Sequence, residues 1–295
     1  MTSPSLPQPP SGATFKAALI QMCTGRSVDA NIATVADLVA RAATAGASYI
    51  QTPEVTTLIT ADRDELLAAT SPEAGNPAVF AFSELARSHR VWLHIGSMAV
   101  HVEDGQRLAN RSFLFAPDGR KVAAYDKIHM FDVDIGKGDQ YWESRRYRPG
   151  SDSVLASLPW GGLGLTICYD MRFPALYRAL AHAGAHLIAV PSAFTVPTGK
   201  AHWHALLRAR AIESQCFVLA AAQAGTHQSG RLTYGHSLIV SPWGEVLAGA
   251  GDLQNSFIIA DIKMDDVQDA RRRVPSLTHD RPFRIVQADV NGSAI

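Results

Sequence analysis

Cysteine is scarce: the 295 residues contain three, Cys23, Cys168 and Cys216, far apart and odd in number. That excludes a disulfide framework and points to reduced thiols in a reducing compartment, so the chain is expected in the cytoplasm. Net charge is absent, with 27 lysines and arginines against 27 aspartates and glutamates. Without a surplus of either sign there is no electrostatic footprint for nucleic acid or for an anionic membrane, and neither is expected as a partner. The one notable basic run, Arg271-Arg272-Arg273, reads as a solvated helix face or a helix end. No apolar run reaches the ~18 residues of a membrane span. Residues 1–13, rich in Pro, Ser and Gln, lack the basic start and apolar stretch of a secretory signal and read as a disordered tail. His, Cys and Asp never cluster at metal-ligand spacing, so no metal is expected.

What is present is ample apolar material, 47% of the residues, for a core that needs no staples. From Phe15 short apolar runs alternate with amphipathic helical patterns, the mark of an α/β protein. Residues 15–22 read as a buried strand, and 29–45 as a helix with Ile32, Val35, Ala36 and Val39 at helical spacing and Gly46 at its end. Residues 49–52 form a second strand, followed by Pro53 and Glu54, so a carboxylate stands just past a strand's C-terminal end. A helix over 78–89, a strand over 91–97, and a hairpin of 111–117 and 121–125 around Asp118-Gly119 complete the first half. Residues 126–150 show no periodicity, and a long irregular segment inside a domain is functional or disordered.

The second half repeats the theme with a hairpin over 154–158 and 163–167, a helix over 174–184 and a strand over 186–190. A helix over 201–214, a strand over 216–222, a hairpin over 237–241 and 245–248 and a strand over 257–262 follow. Hairpins interspersed with helices indicate two mixed sheets covered by helices. With no linker or composition shift, residues 14–273 read as one domain and 274–295 as a C-terminal extension.

Cys168 is the most informative thiol, because Cys168-Tyr169-Asp170-Met171-Arg172-Phe173-Pro174 begins where a strand gives way to a turn and helix. A thiol there can act as a nucleophile, with backbone N–H groups aimed at a developing oxyanion. Taken alone it is equally well a small buried hydrophobe, as Cys23 and Cys216 are expected to be. A reactive thiol needs a base. His202 and His204, two apart on a helix, face different directions, while His94 and His101 have no Cys or His at ligand spacing, so all four read as structural or surface groups. Glu54 in Thr52-Pro53-Glu54 and Lys127 in Tyr125-Asp126-Lys127-Ile128-His129 follow apolar strands, and each alone reads as a surface charge.

Together and in this order the three motifs change the reading: the sequence resembles the nitrilase superfamily of carbon–nitrogen hydrolases, from about Phe15 to Phe283. The resemblance implies a four-layer α-β-β-α sandwich carrying a Glu–Lys–Cys triad, here Glu54, Lys127 and Cys168, and Glu143 in Trp142-Glu143-Ser144 matches an additional glutamate. Pro191-Ser192-Ala193-Phe194, Thr198-Gly199-Lys200-Ala201-His202-Trp203, Arg208-Ala209-Arg210-Ala211-Ile212-Glu213 and Tyr234-Gly235-His236-Ser237 look like the amidase branch. Lys200 departs from that branch, where a small residue or Pro is usual.

The resemblance implies that Glu54 is the general base, that Cys168 attacks an amide carbonyl, and that Lys127 with the backbone N–H of Tyr169 stabilises the oxyanion. Glu143 would orient Lys127. Arg172 either pairs with a substrate carboxylate or is structural, bonded to Asp170 or to a chain end. Phe131, Phe194, Thr195, Thr198, His202 and Trp203 are pocket positions, Trp203 equally a core residue. The implied reaction passes through a thioester, needs no cofactor, and releases ammonia from a linear carboxamide, a 2-oxo dicarboxylic acid monoamide or its peptide conjugate. Nitrile or carbamoyl cleavage on the same triad is the alternative, since substrate choice lies in pocket loops. An inactive relative kept as a binding or scaffold protein is expected to lack a triad member, whereas Glu54, Lys127, Glu143 and Cys168 are all present. Superfamily members pair their sandwiches, so a homodimer or larger homo-oligomer is expected, with residues 274–290 crossing to the partner.

Overall fold

A computed structural model describes residues 8–102, 107–136 and 140–287. The apolar runs become strands buried on both faces, as the alternation of side chains along a strand shows. In β1 (Thr14–Gln21), Ala17 and Leu19 point into the core between two sheets, while Ala18 and Ile20 pack beneath α1 (Val28–Thr44) and α3 (Pro77–His89). β2 (Tyr49–Gln51) divides in the same way, with Tyr49 inside and Ile50 under the helices.

β1, β2 and β3 (Trp92–His101) run parallel, β4 (Leu108–Phe115) and β5 (Lys121–Asp126) follow antiparallel, and β16 (Ser256–Lys263) closes the other edge antiparallel to β1. The second sheet repeats this succession. Its strands are β8 (Val154–Leu158), β9 (Gly161–Leu165), β10 (Ala185–Ala189), β11 (Phe217–Ala220), β14 (Leu238–Val240) and β15 (Val246–Gly249). Their pairings are antiparallel, parallel, parallel, antiparallel and antiparallel, as they are from β16 to β5. α4 (Pro174–Ala183) and α5 (Val196–Ser214) cover it, burying Tyr177, Leu180, Trp203 and Leu207. The expected α-β-β-α sandwich of two mixed sheets is thus built from two copies of one six-strand pattern. The two patterns place Glu54, after β2, and Ser192, after β10, at matching strand ends, each preceded by a proline.

Some boundaries differ from expectation for identifiable reasons. α5 begins at Val196, because Pro197 falls in the first turn, where a missing N–H costs nothing. Within α5, a Cβ on Gly199 would overlap the Tyr234 ring, so the glycine permits close packing. The short α2 (Arg63–Ala68), capped by Asp62, was not anticipated. Within 126–150 lie a small hairpin of β6 (Asp132–Asp134) and β7 (Gln140–Trp142) and a 3-10 turn at Glu143–Arg145. A further hairpin joins β12 (Ala224–Thr226) to β13 (Leu232–Tyr234). Of the segment read as a disordered tail, residues 1–7 lie outside the described residues. The rest is held by α6 (Asp265–Arg273): Gly12 N–H donates to Asp265 and Gln268 donates to the Pro9 carbonyl. The Arg271–Arg273 run is a helix end, but Arg271 is buried and donates to the Ala185 carbonyl at 2.6 Å rather than facing solvent.

The two halves meet tightly at Gly96 in β3. A Cβ there would strike the Thr52 and Pro53 carbonyl oxygens and the Pro191 side chain, all backbone-fixed groups beside Glu54 and Ser192. Gly96→Ala is therefore expected to destabilise the fold by about 2–3 kcal/mol through overpacking, read as a lower midpoint in urea unfolding. An unchanged midpoint would show that the halves can separate there without penalty.

Candidate active site

Glu54 follows β2 in a turn that forces Val55 to a positive φ of 52°, an unfavourable conformation for a β-branched residue. The turn is tied to β3 by the Val55 N–H, which donates to Ser97 Oγ at 2.9 Å. The Glu54 side chain points inward and is 6% exposed. Its Oε1 accepts from Lys127 Nζ at 2.8 Å and from Asn110 Nδ2 at 3.0 Å, and its Oε2 from the Ala193 N–H at 2.9 Å.

Lys127 leaves the end of β5, with its N–H on the Asn110 carbonyl and its carbonyl accepting from Gly150 N–H. Its ammonium reaches both oxygens of Glu143, at 3.0 and 2.8 Å, as well as Glu54. Glu143 is aimed by the Phe131 N–H, which donates to Oε2 at 2.7 Å. Asn110, on β4, donates one amide to both glutamates, at 3.0 Å to Glu54 and 3.1 Å to Glu143.

Cys168 opens a 3-10 turn spanning Cys168–Arg172 with φ at 49°, a sharp strand-to-turn bend that few non-glycine residues adopt. Two anchors impose the bend. The Cys168 N–H donates to the Pro191 carbonyl at 2.9 Å. The buried Asp170 carboxylate accepts from Tyr125 Oη at 2.7 Å, Ile167 N–H at 2.9 Å, His129 N–H at 3.0 Å and His129 Nδ1 at 2.7 Å. Facing a carboxylate, that Nδ1 carries the proton. Asp170 thus joins the segment bearing Lys127 to the segment bearing Cys168.

The electrostatics follow from burial and pairing. Burial alone would raise the Glu54 carboxyl, but the charge of Lys127 and hydrogen bonds from Lys127 and Cys168 outweigh it and leave the group below its ordinary 4.5. Burial works against the Lys127 ammonium, yet Glu143, then Glu54, hold it well above 10.5. The Cys168 thiol is pushed far up from 9.0, by burial first and by the Glu54 charge second. The resting arrangement sets a carboxylate and a neutral thiol beside a fixed ammonium, near enough for the carboxylate charge to act on the thiol, rather than a standing thiolate.

These groups open on a cavity of about 520 Å³ lined by Glu54, Asn110, Lys127, Phe131, Glu143, Cys168, Phe194, Thr195, Thr198 and Arg231, among others. Eight expected site residues therefore share one wall. Tyr169, Arg172, His202 and Trp203 do not line it. Arg172 packs its guanidinium on the Tyr169 and Phe194 rings, with Nη2 3.3 Å from His202 Nδ1, and His202 is exposed. Trp203 is fully buried and donates to the His236 carbonyl, a core position. Tyr169 sets its ring edge-on against Phe131 and Phe173. His94 is a satisfied core group between Tyr49 Oη and Ser112 Oγ, lowered to about 3 by burial. Cys216 is buried, whereas Cys23 is half-buried rather than fully enclosed. Among the described residues no cluster of His, Cys, Asp or Glu is arranged to hold a metal.

Sequence reasoning missed Asn110 and Arg231. Asn110 carried a signal, a polar residue within an apolar strand beside the lysine's strand. Arg231 follows Gly230 in what reads as a surface turn, and nothing local marks it.

An arrangement of this kind, on this doubled sheet, is that of a hydrolase acting on carbon–nitrogen bonds. The chain belongs to the carbon–nitrogen hydrolase family, whose profile matches residues 16–272, and it is an amide-hydrolysing enzyme. It is 39% identical over 266 residues to the deaminated glutathione amidase of Yersinia enterocolitica, covering 90% of this chain and 92% of that one. It is 40% identical over 269 residues to the deaminated glutathione amidase of Homo sapiens, with 90% and 82% covered. The crystal structure of the C. elegans NitFhit protein superposes with a TM-score of 0.85 at 32% identity, over 95% of this chain and 69% of that one.

Because Glu54 stays ionised down to below pH 4.5, the Cys168 proton has an acceptor at every neutral pH. Alkylation of Cys168 by iodoacetamide, followed by peptide mass, is therefore expected to be nearly flat with pH above that value. An isolated thiol instead reacts about tenfold faster per unit up to its pKa near 8.5. That steep rise in the wild-type protein would show that Glu54 does not serve the thiol.

Proposed function

We propose that the protein hydrolyses deaminated glutathione, with Cys168 as nucleophile and Glu54 as general base. The observation that carries the chemistry is the Lys127 ammonium held at 2.8 Å from both Glu54 and Glu143, on the same cavity wall as the Cys168 thiol. Glu54 takes the Cys168 proton as sulfur attacks the amide carbonyl carbon. Lys127 and the Tyr169 N–H stabilise the resulting oxyanion, a contribution of about 3–4 kcal/mol per good donor. The tetrahedral centre collapses, the C–N bond breaks, and Glu54 passes its proton to the leaving nitrogen. Glu54 then deprotonates water, which attacks the thioester. Collapse of that second adduct expels the thiolate, and the proton returns from Glu54 to Cys168. Glu143 and Asn110 do not move protons in this scheme; they fix Lys127 and Glu54.

The named relatives point to the substrate, and the cavity's volume of about 520 Å³ suits a small peptide conjugate. Deaminated glutathione is a 2-oxo acid joined through its far carboxyl to the amine of cysteinylglycine. Hydrolysis of that bond yields 2-oxoglutarate and the dipeptide, so the leaving group is an amine. Ammonia is released instead from a primary carboxamide such as 2-oxoglutaramate. An assay must therefore follow both products.

The three free thiols suit the cytoplasm. Residues 14–273 then form the catalytic domain. The extension from 274 carries Phe283 and Ile285, 88% and 87% exposed, which favours pairing with a second copy. The end of that extension, 288–295, lies outside the described residues. Light scattering at micromolar concentration is expected to give at least twice the 31.7 kDa chain mass, and a monomeric mass would refute the pairing.

Turnover is to be measured on deaminated glutathione, 2-oxoglutaramate, 2-oxosuccinamate, a simple nitrile and an N-carbamoyl amino acid. Deaminated glutathione is expected to lead in kcat/KM. Cys168→Ala is expected to lose about 10⁴-fold or more, while Cys23→Ala and Cys216→Ala keep wild-type rates. Glu143→Gln is expected to lower kcat more than it raises KM, because it disturbs the oxyanion cation rather than the binding wall. A fully active Cys168→Ala, or another compound leading the panel, would overturn the corresponding part.

A further inference from the structure

The charged residues of the cavity wall are unevenly matched. Both carboxylates, Glu54 and Glu143, are committed to Lys127. Three arginines, Arg145, Arg146 and Arg231, also line the wall, and none has a carboxylate partner among the described residues. Two of them are otherwise engaged. Arg146 donates to the Thr60 and Ala61 carbonyls, and the exposed Arg145 lies over the Trp142 ring.

Arg231, on the turn between β12 and β13, is different. It is half-buried, and its guanidinium makes one hydrogen bond among the described residues, from Nη2 to the Ala193 carbonyl at 2.7 Å. Its Nε is buried without a partner. The guanidinium carbon sits 5.9 Å from the centre of the Tyr141 ring, another cavity residue, which restrains its plane. Ala193 links it to the reacting centre, because the N–H of that residue donates to Glu54 Oε2 at 2.9 Å. Arg231 is near enough for its charge to act on Glu54. A guanidinium offers five N–H donors in a fixed fork, so one that is positioned, partly desolvated and mostly unpaired is prepared for a planar anion.

We propose that Arg231 is the specificity-determining residue through which this amidase selects substrates bearing a carboxylate. Resting on the amide-hydrolase reading above, the inference assigns to Arg231 the part that sequence reasoning gave to Arg172, which lies off the wall with its guanidinium on two rings and near His202. The carboxylate comes either from the 2-oxo acid or from the terminal glycine of the peptide portion, and Arg231 recognises the same chemistry in both cases.

The test measures kcat and KM for deaminated glutathione and for each of its two monomethyl esters, with wild type, Arg231→Gln and Arg231→Lys. In the wild type one ester is expected to be poorer than the parent by about 10- to 100-fold, as for a lost hydrogen-bonded charge, and its identity names the carboxylate. Arg231→Gln should bring the parent to the level of that ester, mostly through KM, and leave that ester unchanged. Arg231→Lys should recover part of the discrimination. Equal wild-type rates on all three compounds overturn the proposal. So does an equal loss on all three in Arg231→Gln, which would make Arg231 a support for Ala193 alone, and so does an unaffected parent.

If the wild type cleaves none of the three, the substrate reading fails, and calorimetry with 2-oxoglutarate and with cysteinylglycine still decides the role of Arg231. Binding of either probe weakened at least about tenfold in Arg231→Gln supports it. Equal binding to both proteins, or none to the wild type, overturns it.

Discussion

The site depends on keeping one ammonium charged where there is almost no water. Lys127 is 2% exposed, and a lone lysine at such depth would shed its proton. Glu143 and Glu54 prevent this, and each is held in place by its own donors. The Phe131 N–H serves Glu143, the Ala193 N–H serves Glu54, and Asn110 serves both. Removing Lys127 leaves two buried carboxylates without a cation, the costly case for ion pairs in protein interiors. The cluster is consequently a single cooperative object assembled from the ends of β2 and β5, from β4, and from the turn after β7.

That object is useful only if a thiol reaches it, and the reach is a matter of the backbone. The left-handed Cys168 would be unfavourable in an isolated peptide. It is held by the Pro191 carbonyl on one side and by the four-donor Asp170 carboxylate on the other. His129 and Tyr125, two donors to Asp170, flank Lys127 in sequence, so the segment of Lys127 and the segment of Cys168 share one anchor. The tight approach at Gly96 brings the Glu54 turn against Pro191, and Pro191 in turn holds the Cys168 N–H. The strain at Val55 and Cys168 is thus distributed over a rigid frame of paired strands.

Around this common centre the cavity wall comes from less regular elements: the β6–β7 hairpin, the 3-10 turn that follows, the start of α5 and the β12–β13 turn. These are the segments in which relatives with the same fold and triad can differ in substrate, since the sheet ends set the reaction and the loops set what enters. The uncommitted positive charge of this wall, centred on Arg231, gives the loops a chemical preference as well as a shape.

Much of the layout was legible beforehand. Apolar runs of strand length, helical spacing between them and glycine-marked hairpins lead to two mixed sheets under helices. Glu54, Lys127, Glu143 and Cys168 stand out once their motifs are taken together. Local sequence carries this because side-chain period and turn chemistry are local properties. Arg231 and the Ala193 N–H were not legible, and Asn110 showed only as a polar residue in an apolar strand, since their importance arises from groups 33 to 139 residues away in the chain. Arg172 and Trp203 lie in motifs that resemble the family's, yet their side chains turn to a ring stack and to the core. Sequence by itself determined the fold class and singled out Glu54, Lys127, Glu143 and Cys168 as candidates, because periodicity and residue chemistry need no partners. Only the tertiary structure decided which charges are paired, which thiol meets a base and which arginine faces the cavity, because pairing and burial are properties of distance in space.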